Sequence, residues 1–277
     1  MAMEEITAEY AVSTLSPAVE LRAVARVTVA CKTDLGRVRE NNEDKFEYYI
    51  AEDNDTLAKR GLIFVVCDGM GGHAAGQIAS ELATKTFVEV YLNHPASEAP
   101  VAMDAAVVAA DRFVTDVSIA VPGRKGMGTT LSSLILLQDE AYSVQVGDSR
   151  VYRLRDGALS PMTTDHTWVN EAIEKGIISE AERETHQYRH VLTRAIGASD
   201  FRVQPDIRRF DLQEGDVYLL CSDGLLNHVP DPQIEAILKA HAPAEAAWKL
   251  VSTALLGGGS DNTTVMIVRV DSLERFQ

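Results

Sequence analysis

Acidic residues sit where several apolar runs end in this 277-residue chain, and their placement is the first sign of chemistry. LIFVVC runs into Asp68-Gly69, VYLLCS into Asp223-Gly224, and YSVQVG into Asp148-Ser149-Arg150. GGGS leads through Asp261-Asn262 into TTVMIV, and Asn42-Glu43-Asp44 follows the first strand candidate. Any one such aspartate commonly caps a turn or the next helix. Brought together in space, the whole set would repel steeply unless cations lay between its members. Oxygen ligands of this kind select magnesium, manganese or calcium over zinc. The glycines after Asp68 and Asp223 are expected to let the backbone turn sharply and offer a carbonyl to such an ion.

Two further residues extend this pattern. The glycine-crowded stretch Asp68-Gly69-Met70-Gly71-Gly72-His73 makes room for a ligand and sets a histidine beside it. A lone histidine is more often a satisfied structural residue; one following a ligand loop is a candidate general acid. Arg39, just ahead of Asn42-Glu43-Asp44, carries a guanidinium fork that matches phosphate oxygens in bidentate fashion. By itself such an arginine reads as a surface ion pair.

The elements that must hold these residues follow from periodicity. Val27, Val29 and Cys31 alternate with Thr28, Ala30 and Lys32 as in a half-buried strand, and Gly61 to Cys67 is a continuous apolar run. Helices are expected from Gln77 to Leu92, with Ile78, Leu82 and a Thr86/Phe87/Val90 group along the inward face, and from Val101 to Ile119. In the second, Ala105, Val108, Ala109, Arg112 and Phe113 are the expected core face. Strands resume at Leu131 to Leu137 and Tyr142 to Val146, and Asp156-Gly157 signals a hairpin. Thr163 to Gly197 is charged and helical in patches, with Ser179 and Glu182 spaced as a capping box. Val217 to Cys221 is a buried strand, Asp231 to Ala240 and Pro243 to Leu255 are helices, and Gly257-Gly258-Gly259 stops the last. This order is not a regular βαβ alternation, so packed sheets with outer helices are expected.

Composition bounds the rest. With 46% hydrophobic and 24% charged residues the chain can build an ordinary globular core, read here as one domain over residues 23–277 after an arm over 1–22. The three cysteines, Cys31, Cys67 and Cys221, contain no C-x-x-C and suit a reducing cytosol. The first residues are acidic and unlike a secretory signal, and no apolar run is long enough to span a bilayer. A net charge of −15 opposes nucleic-acid or anionic-membrane partners.

With these residues laid out, the chain resembles the metal-dependent protein phosphatases, the type 2C serine/threonine phosphatases in their compact bacterial form. The resemblance runs from about Val27 to Val270. It is carried by TDLGRVRENNEDKF, FVVCDGMGGHAAGQIAS, GMGTTLSSLIL, VQVGDSRVYRLRDG, DHTWVNEAIEKGIIS, HVLTRAIG, LLCSDGLLNHV and SDNTTVMIV, in that order. The implied fold is α+β, a central β-sandwich of two antiparallel sheets flanked by helices, with a flap over residues 165–197. The resemblance implies that Asp68 bridges two Mn²⁺ or Mg²⁺ ions, that the Gly69 carbonyl joins one, and that Asp223 and Asp261 hold the other. It leaves open whether Glu43 or Asp44 approaches the metal-bound water, and it places a weaker third ion at Asp148 with Asp223. Arg39 would clamp the phosphoryl group and His73 would protonate the leaving alkoxide, while a metal-bridging hydroxide attacks phosphorus in line. Implied substrates are phosphoserine and phosphothreonine proteins, including those of a eukaryotic-like kinase, met by a cytoplasmic monomer. Where the family commonly has HPxR, this chain has His186-Gln187-Tyr188-Arg189.

Three rivals differ in testable ways. Cys31 to Arg37 fits the C-x₅-R spacing of cysteine-dependent phosphatases, but Asp34 lies inside that loop. A metal-free interaction module on the same fold would be expected to lose the acids, which are intact. A narrow regulatory phosphatase would commonly lack the flap and Arg39.

Overall fold

The structure, a computed structural model, describes residues 19–71, 74–198 and 203–276. The chain runs β1 (Ala23–Asp34), β2 (Lys45–Tyr49), α1 (Asn54–Lys59), β3 (Leu62–Cys67), β4 (Gly69–Met70), α2 (Ala74–Asn93), α3 (Ala99–Ala120), β5 (Gly128–Thr129), β6 (Leu131–Leu137) and β7 (Glu140–Val146). It continues through β8 (Arg150–Arg155), β9 (Ala158–Pro161), α4 (Trp168–Glu174), a 3₁₀ turn (Glu180–Thr185), β10 (Asp206–Asp211), β11 (Val217–Cys221), α5 (Asp223–Leu226), α6 (Asp231–Ala240), α7 (Pro243–Leu256) and β12 (Thr263–Arg275).

Two antiparallel sheets of five strands pack face to face, in the orders β1-β12-β11-β8-β9 and β10-β7-β6-β3-β2. The layers explain why β3 is apolar without alternation. Phe64 and Val66 point between the sheets with Leu134, Leu220 and Met266, while Ile63, Val65 and Cys67 face the opposite side under α2 and α3. A third cluster seals the other outer face, where Leu219, Val265 and Ile267 meet Leu250 and Val251 of α7. The result is four layers, helix-sheet-sheet-helix, as packed sheets buried on both sides require. Among the described residues no helix is long and apolar enough to cross a membrane.

The helix α3 corrects the expected core face. Ala102, Met103, Ala106, Val107, Ala110 and Val114 are buried, whereas Phe113 is 46% exposed and the Arg112 side chain is in solvent. The helix carries apolar residues around most of its circumference, so periodicity alone could not pick the face. Its alanine stripe packs in one cluster with Ala75, Ala79 and Ala83 of α2. On α2 the buried line is likewise Ala79, Ala83, Phe87 and Tyr91, with Ile78, Leu82 and Val90 only partly buried beside it. The short β2, α1 and β10 lie outside the expected elements. β10 (DIRRFD) is a charged edge strand, and its burial pattern gives little apolar signal.

Within 165–197 the flap consists of α4 and the 3₁₀ turn, joined at its base by pairing of Thr167 with Leu192. Glu182 accepts from the Ser179 amide at 2.8 Å, completing the expected capping box. The missing proline is replaced by a local turn in which the Tyr188 amide donates to His186 Nδ1 at 3.1 Å. The His186 ring stacks on Trp168 at 4.7 Å between centroids, and Tyr188 meets Trp168 edge-on.

Met103→Ala is expected to destabilise the protein by about 2–5 kcal/mol in urea unfolding, as large-to-small core changes do. Phe113→Ala is expected to stay within about 0.5 kcal/mol, as for a surface position. The opposite ranking would show that the α3 face is misplaced.

Candidate active site

Strand register alone carries the acids to one end of the sandwich. Cys67, the residue before Asp68, pairs with Lys45, so the start of β2 and its preceding Glu43-Asp44 lie beside the end of β3. Leu131 pairs with Val146, which sets the Gly147-Asp148 turn at the same end. Cys221 pairs with both Val265 and Arg150, aligning Asp223, the loop before β12 and the loop before β8. Asp34 pairs with Thr263 and completes the rim.

The outcome is an open cleft of about 1880 Å³ lined by Arg39, Glu43, Asp68, Gly69, Asp148, Asp223 and Asp261, with the flap as its far wall. Asp44 is 2% exposed and sits behind the cleft floor, where its Oδ2 accepts from Ser222 Oγ at 2.7 Å. Glu43 lines the cleft, and its amide donates to Asn262 Oδ1 at 2.8 Å. Arg39 Nη2 donates to Asp261 Oδ2 at 2.6 Å. His73 lies outside the described residues.

Convergence raises the proton affinity of these groups. Burial, then repulsion from Asp44, Asp223, Asp148 and Asp261, pushes Asp68 well above the usual carboxylate range. Burial followed by repulsion from Asp223 and Asp165 lifts Asp148 to about 8. Burial lifts Asp44 to about 7 despite hydrogen bonds from Thr264 and Ser222. Burial and the Asp261 charge raise Asp223, offset in part by a hydrogen bond with Asp68 and by the nearby His190. Arg39 is also raised, its charged form held more firmly by the hydrogen bond to Asp261.

The donor set fits hard divalent cations. Its members are oxygens, they carry more negative charge than Arg39 can balance, and Asp44 Oδ1 is buried with no hydrogen-bond partner among the described residues. Among those residues no three His, Cys, Asp or Glu side chains close around one point.

A buried polar layer fixes the backbone beneath the acids. The Asp68 amide donates to Thr130 Oγ1 at 2.9 Å, and Thr129 Oγ1 donates to the Asp68 carbonyl at 2.8 Å. Thr130 Oγ1 meets Ser149 Oγ at 2.7 Å, and Gln145 Nε2 donates to the Gly147 and Ser149 carbonyls. Asn262 clasps the Arg39 segment: its Nδ2 donates to the carbonyls of Leu35 and Asn41 at 2.9 and 3.0 Å. None of these side chains stands out in the sequence as a functional candidate. The available signal was polar side chains, Thr129, Thr130, Ser132 and Gln145, in or beside otherwise apolar strands.

The two glycines do a different job from the expected sharp turn. Neither Gly69 nor Gly224 has a positive φ, and Gly224 lies inside α5. Each is required by close approach: a Cβ on Gly69 would strike the Gly76 carbonyl, and one on Gly224 the Asn262 carbonyl. The C-x₅-R alternative fails on geometry. Cys31 is in mid-strand opposite Met266, and burial pushes its thiol up to about 11, away from a nucleophilic thiolate.

Comparison with known proteins shows which family the chain is similar to. A family model described as "Protein phosphatase 2C" matches residues 37–254. The chain is 36% identical over 251 residues to the serine/threonine protein phosphatase PstP of Mycobacterium tuberculosis; the match covers 89% of this chain and 46% of that protein. It thus spans about half the length of the mycobacterial relative. The serine/threonine phosphatase stp of Listeria monocytogenes is 34% identical, with 88% of this chain and 96% of that protein covered. A crystal structure of the PstP catalytic domain in complex with two manganese ions superposes with a TM-score of 0.74 at 35% identity, covering 89% and 98% of the two chains.

Two outcomes follow from the geometry. In chelator, carboxylates with raised folded-state values bind protons more tightly than in the unfolded chain. Stability in urea unfolding should therefore fall as pH rises from about 4 through 7–8, the values of Asp148 and Asp44 among them. Added Mg²⁺ should remove most of that loss; a flat profile in chelator would contradict the convergence. Asn262→Ala strands the Glu43 amide and two carbonyls and should cost about 1–3 kcal/mol.

Proposed function

The chain belongs to the protein phosphatase 2C family, and on that basis we propose that it hydrolyses phosphoserine and phosphothreonine in proteins with the aid of divalent cations. The observation that carries this reading is the cleft in which Asp68, Asp148, Asp223 and Asp261 meet Arg39 at one sandwich end. The acids alone would repel a phosphorylated substrate, so the reading needs compensating positive charge at this place.

Asp68, the Gly69 carbonyl, Asp223 and Asp261 are the residues to hold Mn²⁺ or Mg²⁺, with Asp148 and Asp223 for a weaker third ion and Glu43 or Asp44 beside them. Such ions supply Lewis-acid charge and make a water nucleophile available near neutral pH, with no covalent phosphoenzyme. Arg39 turns its fork from Asp261 towards the phosphoryl oxygens and offsets charge that builds on them. His73 supplies a proton to the serine or threonine oxygen as it leaves. The flap wall limits how a phosphopeptide enters. Phosphoproteins are the substrate class that the names of the mycobacterial and listerial relatives support, and products of a eukaryotic-like kinase are the leading candidates within it. Three free cysteines, two of them buried, suit a protein working in a reducing cytoplasm.

Phosphopeptide hydrolysis with Mn²⁺, Mg²⁺ or chelator tests this. Activity should require the metal. Asp223→Asn should lower kcat by about two orders of magnitude or more, and Arg39→Ala should lower kcat/KM by roughly ten- to a hundredfold. Full activity in chelator overturns the reading.

A further inference from the structure

The buried His166 belongs to none of the roles above. It is 5% exposed and lies where the flap leaves β9, directly behind the turn that presents Asp148. Its backbone joins both ends of the flap to that turn: the His166 amide donates to the Gly147 carbonyl at 2.8 Å, and its carbonyl accepts from the Thr193 amide at 2.9 Å. Its ring makes a second connection. The Gly147 amide points at His166 Nδ1 at 3.2 Å, and a backbone amide can only donate. Nδ1 is therefore the acceptor, and the neutral ring carries its proton on Nε2, which faces Asp206 Oδ2 at 3.2 Å. Arg194 Nη1, 3.3 Å from Nε2, finds its own acceptor in Asp206 Oδ1 at 2.9 Å. Burial keeps the ring below the usual histidine range and so neutral.

Gly147 has little freedom apart from this contact. Its φ is +100°, and a Cβ would press on the Thr130 side chain, the same threonine that holds the Asp68 amide. The two peptides that flank Gly147 are thus both held by His166: its ring accepts from the Gly147 amide and its own amide donates to the Gly147 carbonyl. We infer that His166 is a positioning residue, whose Nδ1 sets the Val146-Gly147 peptide and, through the constrained Gly147, couples the base of the flap to the aim of the Asp148 carboxylate. This rests on the proposed phosphatase reading only in that Asp148 serves the cleft. His166 touches no substrate; it acts through Asp148.

Two substitutions separate the two ring nitrogens. In His166→Gln the amide reaches towards Asp206 and leaves the Gly147 amide without an acceptor. In His166→Asn an oxygen is restored near the Nδ1 position and the Asp206 contact is lost. The expected result is that H166Q loses kcat by roughly tenfold or more with KM little changed, and that H166N rescues most of it. Calorimetric Mn²⁺ titration should show the weakest binding event diminished in H166Q and recovered in H166N. Equal kcat and equal Mn²⁺ binding in the two variants would overturn the inference, as would a joint loss that tracks thermal stability alone. Should H166Q fail to fold, ¹⁵N NMR of the wild-type imidazole decides: a proton on Nε2 with Nδ1 accepting supports the inference, and a proton on Nδ1 ends it. A wild-type protein inactive on phosphopeptides would sink the phosphatase reading, while metal titration and NMR would still judge His166.

Discussion

Mutual repulsion among carboxylates is the constraint on which this molecule turns. Left to themselves, Asp44, Asp68 and Asp148 hold protons far more tightly than free aspartate does, and Asp223 is raised in the same direction. A fold that forces them together accepts a cost that only bound cations remove, and it must grip their backbones firmly enough to resist it. The grip comes from two sources. Antiparallel register in two sheets brings the loops to one rim, and a layer of buried hydroxyl and amide groups, Thr129, Thr130, Gln145, Ser149 and Asn262, ties each loop to its neighbours. Polar side chains in a core are expensive unless satisfied. These pair with one another or with loop carbonyls, so the layer beneath the site is stiff.

Much of this was legible in the residues themselves. Strands buried on both faces announce themselves as unbroken apolar runs, so β3, β6 and β11 were read close to their true bounds, and the aspartates after them marked the site. What could not be read has physical causes. On α3, apolar residues surround the axis, and only packing against the alanines of α2 decides which side is inside. β10 is a charged edge strand whose existence depends on pairing with β7 and not on its own pattern. Gly69 and Gly224 were recognised as necessary, but the reason was steric and tertiary: the carbonyls they admit belong to Gly76 and Asn262. Asn262 looked like a neighbour of a ligand and proved to be the clasp between the Arg39 segment and the Asp261 loop.

The flap shows how a family pattern can tolerate a missing residue. Where proline would stiffen the turn, Trp168, His186 and Tyr188 form a small aromatic cluster, and His186 Nδ1 accepts the Tyr188 amide. Rings packed at these distances can hold a short segment that has little core of its own. Arg150 anchors the flap base with a bidentate pair to Asp165 at 2.7 and 2.8 Å, next to the Asp148 turn. The wall of the cleft and its floor are therefore parts of one connected structure.

The pairing of β1 with β12 has a consequence for how the protein comes into being. Asp34 lies opposite Thr263, and the Arg39 segment hangs on Asn262. During synthesis the first strand must wait, without its neighbour, until more than two hundred further residues have left the ribosome. Contacts this distant along the chain are slow to close. The rim that carries Arg39 and Asp261 is thus among the last features to assemble, so a nascent or prematurely terminated chain that lacks β12 would leave β1 unpaired and the cleft unfinished.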